Sequence, residues 1–195
     1  EAGLPNDEDE AFAFLLPSTR PDSLGRIGHY EVLQVLGRGG FGIVFRAFDD
    51  VLHRIVAVKV LSPQLAATSP ARKRFRREAR SSAQVRHENV VQVYEVGEQP
   101  LPYIAMEYMA GRDLAAIIET EGPQGLRIGR AIHFLVQILP GLQTAHTRVI
   151  VDRDMKPPHR FAIAADPDPE FVHLCDFAFV RTHAPGSAPP APTNP

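Results

Sequence analysis

Short runs of β-branched and aromatic residues fill the first half of the chain, and a longer helical period follows. Tyr30 to Leu36, Gly42 to Phe48 and Ile55 to Leu61 are rich in Val, Ile and Phe and predict three strands. Val90 to Val96 and Tyr103 to Tyr108 predict two more. Between these groups Ser69 offers an N-cap, with Pro70 at the first helical position, and a helix is expected to about Arg86. A second helix is expected from about Ile128 to Thr147, with Ile128, Ile132, Leu135, Leu139, Leu142 and Val149 as its buried stripe. Pro140 falls inside it and should kink it or cost up to about 3 kcal/mol. The pattern is that of an α+β chain: a five-strand antiparallel sheet with one helix, then a helical region.

The two ends lack such a pattern. Residues 1–28 hold Pro5, Pro17, Pro21 and an acidic cluster from Asp7 to Glu10, and read as a mobile segment. Phe12, Phe14, Leu15 and Leu16 are the residues in it able to pack on the domain. The stretch 182–195 is rich in Pro and Ala and reads as a disordered tail.

Composition narrows the function classes. The chain has 195 residues, 44% of them hydrophobic, enough for one domain or two small lobes. A net charge of −2 gives no global reason to expect nucleic acid or an anionic membrane as partner. No apolar run reaches the roughly 18–20 residues that cross a bilayer, so no membrane segment is expected. The single cysteine, Cys175, forms no intramolecular disulfide and fits a cytoplasmic setting. Because it opens on Glu1 rather than Met, the chain reads as a fragment of a longer product.

Candidate chemistry centres on Leu36-Gly37-Arg38-Gly39-Gly40-Phe41-Gly42-Ile43-Val44, followed by Ala57-Val58-Lys59. Glycines at 37, 39 and 42 remove Cβ atoms where a backbone turns tightly and lies close to a bulky anion. Strand-like runs flank them on both sides, whereas a dinucleotide-binding loop passes from a strand into a helix. No Gly-Lys-Ser/Thr ending is present, which excludes a Walker-type phosphate loop.

The glycine loop, the valine two residues on and the Ala-x-Lys strand, in that order, resemble the protein kinase family, specifically the bacterial eukaryotic-like serine/threonine kinases. The resemblance runs from about His29 to Asp176. It implies a two-lobe fold, with an ATP-binding strand lobe at 29–109 and a partial helical lobe carrying the catalytic loop at 110–181. It implies Mg-ATP as ligand and transfer of the γ-phosphoryl group to Ser or Thr of a protein substrate. Lys59 stands where the family holds the α- and β-phosphates, and Glu78 where it orients that lysine. The glycine-loop residues and Ala57 would surround the nucleotide. Glu107 and Met109 would meet the adenine through their main chains, with Met106 filling the back of the pocket. Asp154 matches the base that orients the substrate hydroxyl, and Lys156 the lysine that neutralises the transferred group. Asp176 and His159 occupy the two metal positions.

Three residues depart from the family pattern. Asp152 replaces a histidine, His159 replaces the asparagine that ligates a second magnesium, and Ala178 replaces a glycine. Imidazole suits a hard, oxygen-seeking cation poorly, so one productive magnesium site is expected, at Asp176. Beyond Asp176 no activation segment or anchor motif is legible, and the helical lobe is expected to be incomplete. The 128–149 helix would then keep its stripe exposed or recruit a partner to cover it. A pseudokinase or nucleotide-binding scaffold, or a non-functional truncated fragment, is the alternative reading. The basic run Arg72, Lys73, Arg74, Arg76, Arg77 and Arg80 reads as a solvated helix face.

Overall fold

Antiparallel pairing of the β-branched runs builds the first lobe. The computed structural model describes residues 12–120, 125–148, 150–151, 160–163, 170–175 and 181–182. Its first strands are β1 (Gly25–Ile27), β2 (Tyr30–Gly39), β3 (Gly42–Asp49) and β4 (Arg54–Leu61). β5 (Val93–Gly97) and β6 (Tyr103–Glu107) complete a six-stranded sheet in the order β1-β2-β3-β4-β6-β5. The expected sheet of five strands thus gains β1, a three-residue strand too short to show alternation. It folds back on β2 through the turn Gly28-His29, with Ile27 opposite Tyr30. The fifth run starts later than expected, at Val93, because Val90 and Val91 turn inward instead. Val91 N–H donates to the Leu174 carbonyl at 2.9 Å, and Leu174 N–H donates to the Asn89 carbonyl at 2.7 Å.

The core of this lobe gathers Val32, Phe45, Val58, Val60 and Ala105, all nearly or fully buried. Phe12, Phe14 and Leu15 pack against it, with the Phe12 and Phe14 rings 5.7 and 6.4 Å from that of Phe45. The reading of 1–28 as mobile is therefore corrected for residues 12–28, while 1–11 lie outside the described residues. What offsets the entropy of ordering this segment is aromatic burial, each ring pair adding about 0.5–1.5 kcal/mol beyond its area. A buried acid adds to it. Glu31, fully buried in β2, accepts hydrogen bonds from the Thr19 backbone N–H at 3.1 Å, the Thr19 hydroxyl and the Ser18 hydroxyl.

Two helices follow β4. α1 (Pro63–Ala66) is capped by Ser62, whose Oγ accepts from Leu65 N–H at 3.4 Å. α2 spans Ser69–Ser82, with Thr68 rather than Ser69 at the N-cap. It stops short of the expected Arg86. Ser82 bonds its hydroxyl back to the Glu78 carbonyl, and the chain leaves through a turn that buries Val85.

The second lobe contains β7 (Gly111–Asp113), α3 (Leu114–Thr120), α4 (Ile128–Thr147), β8 (Ile150–Val151), β9 (Arg160–Ile163), β10 (Phe171–Leu174) and β11 (Arg181–Thr182). β10, β9 and β7 form one antiparallel sheet, and β11 pairs with β8. α4 continues through Pro140 and lies on β10. Gly141 permits the approach, since a Cβ there would press on Leu174 Cδ1 and Val90 Cγ2. Gln137 fixes the register, accepting from Val172 N–H at 2.8 Å and donating to the Glu170 carbonyl at 3.2 Å.

The stripe expected to be buried on this helix is corrected. Ile128 is 80% exposed, and Ile132, Leu135 and Leu139 are more than half exposed. The inward face is instead Phe134, Ile138, Gly141 and Ala145, and Leu142 sits partly buried beside it. Both faces are apolar, and the inner one uses Gly and Ala for close approach, so hydropathy alone marks the outer one more strongly. Val149 lies outside the described residues.

Burial by itself would raise the Glu31 pKa, but hydrogen bonds led by that of the Thr19 hydroxyl outweigh it and hold the carboxylate pKa at about 2. A depressed carboxylate contributes stability that is complete above its unfolded value of 4.5 and fades as pH falls towards about 2. Glu31→Gln is expected to lower the melting temperature near neutrality. The gap to wild type should close as acid unfolding is followed from pH 4.5 down to about 2. A gap independent of pH would assign the loss to shape rather than charge.

Candidate functional site

The glycine loop is a tight hairpin between β2 and β3, with Gly39 opposite Gly42 and Gly40-Phe41 at the tip. Gly37, Gly39 and Gly40 have no atom within 4 Å of where a Cβ would stand. These backbone segments therefore face open space and leave room for a ligand. Gly42 has another role. Its φ is +155°, and a Cβ there would collide with the Val60 carbonyl oxygen, so the hairpin base lies flat on β4. The tip is tied down where Ser62 N–H donates to the Phe41 carbonyl at 3.0 Å. Two register shifts in β2, between Val32 and Gln34 and between Val35 and Gly37, bend it where the glycines begin.

β4 carries Ala57 and Lys59 through the middle of the sheet. Ala57 is buried opposite Met106, and Lys59 is half-buried between Val44 of β3 and Ile104 of β6. Lys59 and Glu78 line one cavity with Val91, Ile104, Met106 and Leu174. α2 presents Glu78 to this cavity by burying Phe75 and Ala79 on either side of it. Glu78 also accepts from Arg74 Nε at 2.8 Å, one turn earlier on the helix. Arg74 in turn lies 5.8 Å from the centre of the Phe41 ring at the hairpin tip.

At the far end of the cavity β6 runs into the link before β7. The Glu107 N–H donates to the Gln92 carbonyl at 2.9 Å, so any main-chain part it plays in recognition falls to its carbonyl. Met109 follows in the link and is half-buried. Leu36, Arg38 and Phe41 are exposed on the hairpin, and Ile43 and Val44 are half-buried. Asp154, Lys156, His159 and Asp176 lie outside the described residues. Leu174, two residues before Asp176, is pinned to Asn89 and Val91 and lines the cavity. Among the described residues no cluster of three His, Cys, Asp or Glu side chains suits a metal ion.

Asn89, to which sequence reasoning assigned no role in the site, ties the two lobes together. Its buried Nδ2 donates to the Val172 carbonyl at 2.9 Å while its own main-chain carbonyl accepts from Leu174. A polar residue between His87 and two buried valines was the available signal. His173, beside it on β10, is buried as well, and burial lowers its pKa against the opposing pull of Glu107.

A family model described as protein kinase domain matches residues 30–193. The chain is 40% identical over 160 residues to the serine/threonine-protein kinase PknB of Mycobacterium tuberculosis, covering 80% of this chain and 25% of that protein. To the serine/threonine-protein kinase pkn3 of Myxococcus xanthus it is 36% identical over 154 residues, covering 78% of this chain and 28% of the relative. The chain thus spans about a quarter of the length of these curated relatives. Among solved structures, the PknI kinase domain of Mycobacterium tuberculosis superposes with a TM-score of 0.70 at 29% identity, covering 80% of this chain and 62% of that one. The hairpin, the central lysine strand and the helix carrying Glu78 are found in a chain that belongs to the protein kinase family, among relatives that are bacterial serine/threonine kinases.

Proposed function

We propose that this chain binds Mg-ATP beneath the β2–β3 hairpin, and that the protein it represents transfers the γ-phosphoryl group to Ser or Thr of a protein substrate. The observation that carries this reading is the cavity that Lys59 and Glu78 share, beside a hairpin strand that pairs with Lys59 and whose Gly37, Gly39 and Gly40 face open space. Backbone amides free of side-chain cover, with a lysine behind them, suit a polyphosphate. Leu36, Ile43, Val44 and Ala57 would line the adenine and ribose side. The Glu107 carbonyl and the Met109 main chain would read the base edge.

Phosphoryl transfer needs positioning and charge neutralisation more than covalent help. Lys59 supplies a cation to the α- and β-phosphates, and Glu78 keeps it oriented. Asp154 orients the acceptor hydroxyl and takes its proton, and Lys156 offsets charge on the group in flight. Asp176 would hold the magnesium ion, which when bound neutralises the β- and γ-phosphate oxygens. His159 offers nitrogen where a hard cation prefers oxygen. A cytoplasmic setting fits the single cysteine, and no described helix is long and apolar enough to cross a membrane.

A second reading, a nucleotide-binding pseudokinase or scaffold, draws support from Asp152, His159 and Ala178 and from the exposed face of α4. That face would suit a partner covering Ile128, Ile132 and Leu139.

Calorimetric titration with Mg-ATP separates these readings from a chain that binds nothing. Lys59→Ala is expected to weaken binding about tenfold, the loss of one charge-assisted contact, while Lys73→Ala on the solvated face leaves it unchanged. Equal affinity in wild type and Lys59→Ala removes the site. Transfer of labelled phosphate to a generic protein substrate is expected to be close to background for this chain and to rise in His159→Asn. High and equal activity in both would overturn the reasoning from ligand hardness.

A further inference from the structure

The segment 12–26 is held to the strand lobe by an acid that water does not reach. Glu31 is fully buried, yet two groups that hold it, the Ser18 and Thr19 hydroxyls, belong to exposed residues. The Ser18 hydroxyl lies 3.1 Å from Glu31 Oε2, and both the backbone N–H and the hydroxyl of Thr19 donate to Oε1. Arg26 Nε stands 3.5 Å from the same oxygen. Arg20, the other cation of the segment, is engaged elsewhere. It pairs with Asp50 at 2.8 Å and lies 4.3 Å from the centre of the Phe48 ring.

The same segment makes further contacts on either side of this latch. Towards the N-terminus Phe12 and Phe14 lie against Phe45 of the sheet. Leu16 and Arg26 exchange backbone hydrogen bonds at 2.9 and 2.8 Å, joining the segment to β1. Phe12 in turn carries Arg38 of the glycine hairpin, whose guanidinium lies 4.8 Å from its ring centre. One segment of chain thus carries both the Thr19 hydroxyl held by the buried carboxylate and the Phe12 ring that meets the hairpin at Arg38.

We propose that Thr19 is a modification site, and that transfer of a phosphoryl group to its hydroxyl releases residues 12–26 from the sheet and frees the Arg38 side of the hairpin. In that transfer the Thr19 Oγ1–phosphorus bond forms and the bond from the γ-phosphorus to the β,γ-bridging oxygen of a nucleoside triphosphate breaks. The diphosphate leaves, and the hydroxyl proton passes to the base of the protein kinase that acts on it. The ester oxygen has no proton left to donate to Glu31. A group of charge about −1.5 to −2 then stands against a buried carboxylate, a pairing whose desolvation cost a single Arg26 does not offset. The link to the hairpin rests on the nucleotide site proposed above, whereas release of the segment does not.

The test uses the full chain carrying phosphothreonine installed at position 19, compared with the unmodified chain by hydrogen exchange. The Leu16 and Arg26 amides are expected to exchange about tenfold faster once the charged hydrogen bond is lost, with β4 and β6 amides unchanged. Glu31→Gln in the phosphorylated chain should bring the two amides back towards the rate of Glu31→Gln alone, because it removes the repelled charge. Unchanged or slower exchange, with Arg20 or Arg26 capturing the phosphate, overturns the proposal. So does acceleration that persists in full when Glu31→Gln is added, which would mark a steric effect rather than charge repulsion. Phosphate mapping after native chain is incubated with Mg-ATP and a broad-specificity serine/threonine kinase should find Thr19 modified, and its absence there equally overturns the assignment.

Discussion

Strand β4 is the constraint on which the first lobe depends. It pairs along its full length with β3 and for five residues with β6, so its central side chains have fixed neighbours on both sides. Val56, Val58 and Val60 are buried to one side, which leaves Lys59 to the other by strand alternation alone. The same strand supplies the Val60 carbonyl on which Gly42 lies. Position of the lysine and of the hairpin base beside it are therefore consequences of one ladder. A register slip of one residue would bury the lysine and expose the valines together.

The lobes meet through backbone hydrogen bonds as well as through an apolar cluster that joins Val85 and Val90 to Phe134, Ile138 and Leu174. Asn89, Val91 and Leu174 exchange main-chain hydrogen bonds, the Asn89 amide adds one to Val172, and Gly141 lets α4 close on Leu174. Leu174 touches the cavity from the second lobe while Lys59 and Glu78 reach it from the first. The side of the cavity lined by Val91 and Leu174 is thus held by short, directional hydrogen bonds. Arg74 holds Glu78 and reaches towards Phe41, so helix and hairpin tip share one cation.

The strand lobe was legible because its signals are local. β-branched runs, glycines at close spacing and an Ala-x-Lys strand each declare themselves within a few residues, and the sheet follows from them. What stayed hidden depends on distant partners. β1 is three residues long and exists only because β2 is there to pair with it. Glu31 reads as an ordinary surface acid until Thr19 and Ser18 fold over it. α4 is apolar on two faces, and its buried one is marked by Gly and Ala, residues that hydropathy undervalues. Of the candidate site, motif order singled out Lys59 and Glu78, which line one cavity, whereas nothing local gave Asn89 a role and Asp154, Lys156, His159 and Asp176 lie outside the described residues.

The packing of Phe12 and Phe14 on Phe45 separates two meanings of a domain boundary. The family match begins at Tyr30, where the shared pattern of the kinases begins. The physical unit begins earlier, since the outer side of Phe45 is covered by rings that lie upstream of that match. A cut at Tyr30 would remove β1 and both rings, turn β2 into a bare edge and leave the Glu31 carboxylate without its donors. Evolutionary and mechanical limits of this lobe differ by an aromatic pair and one strand.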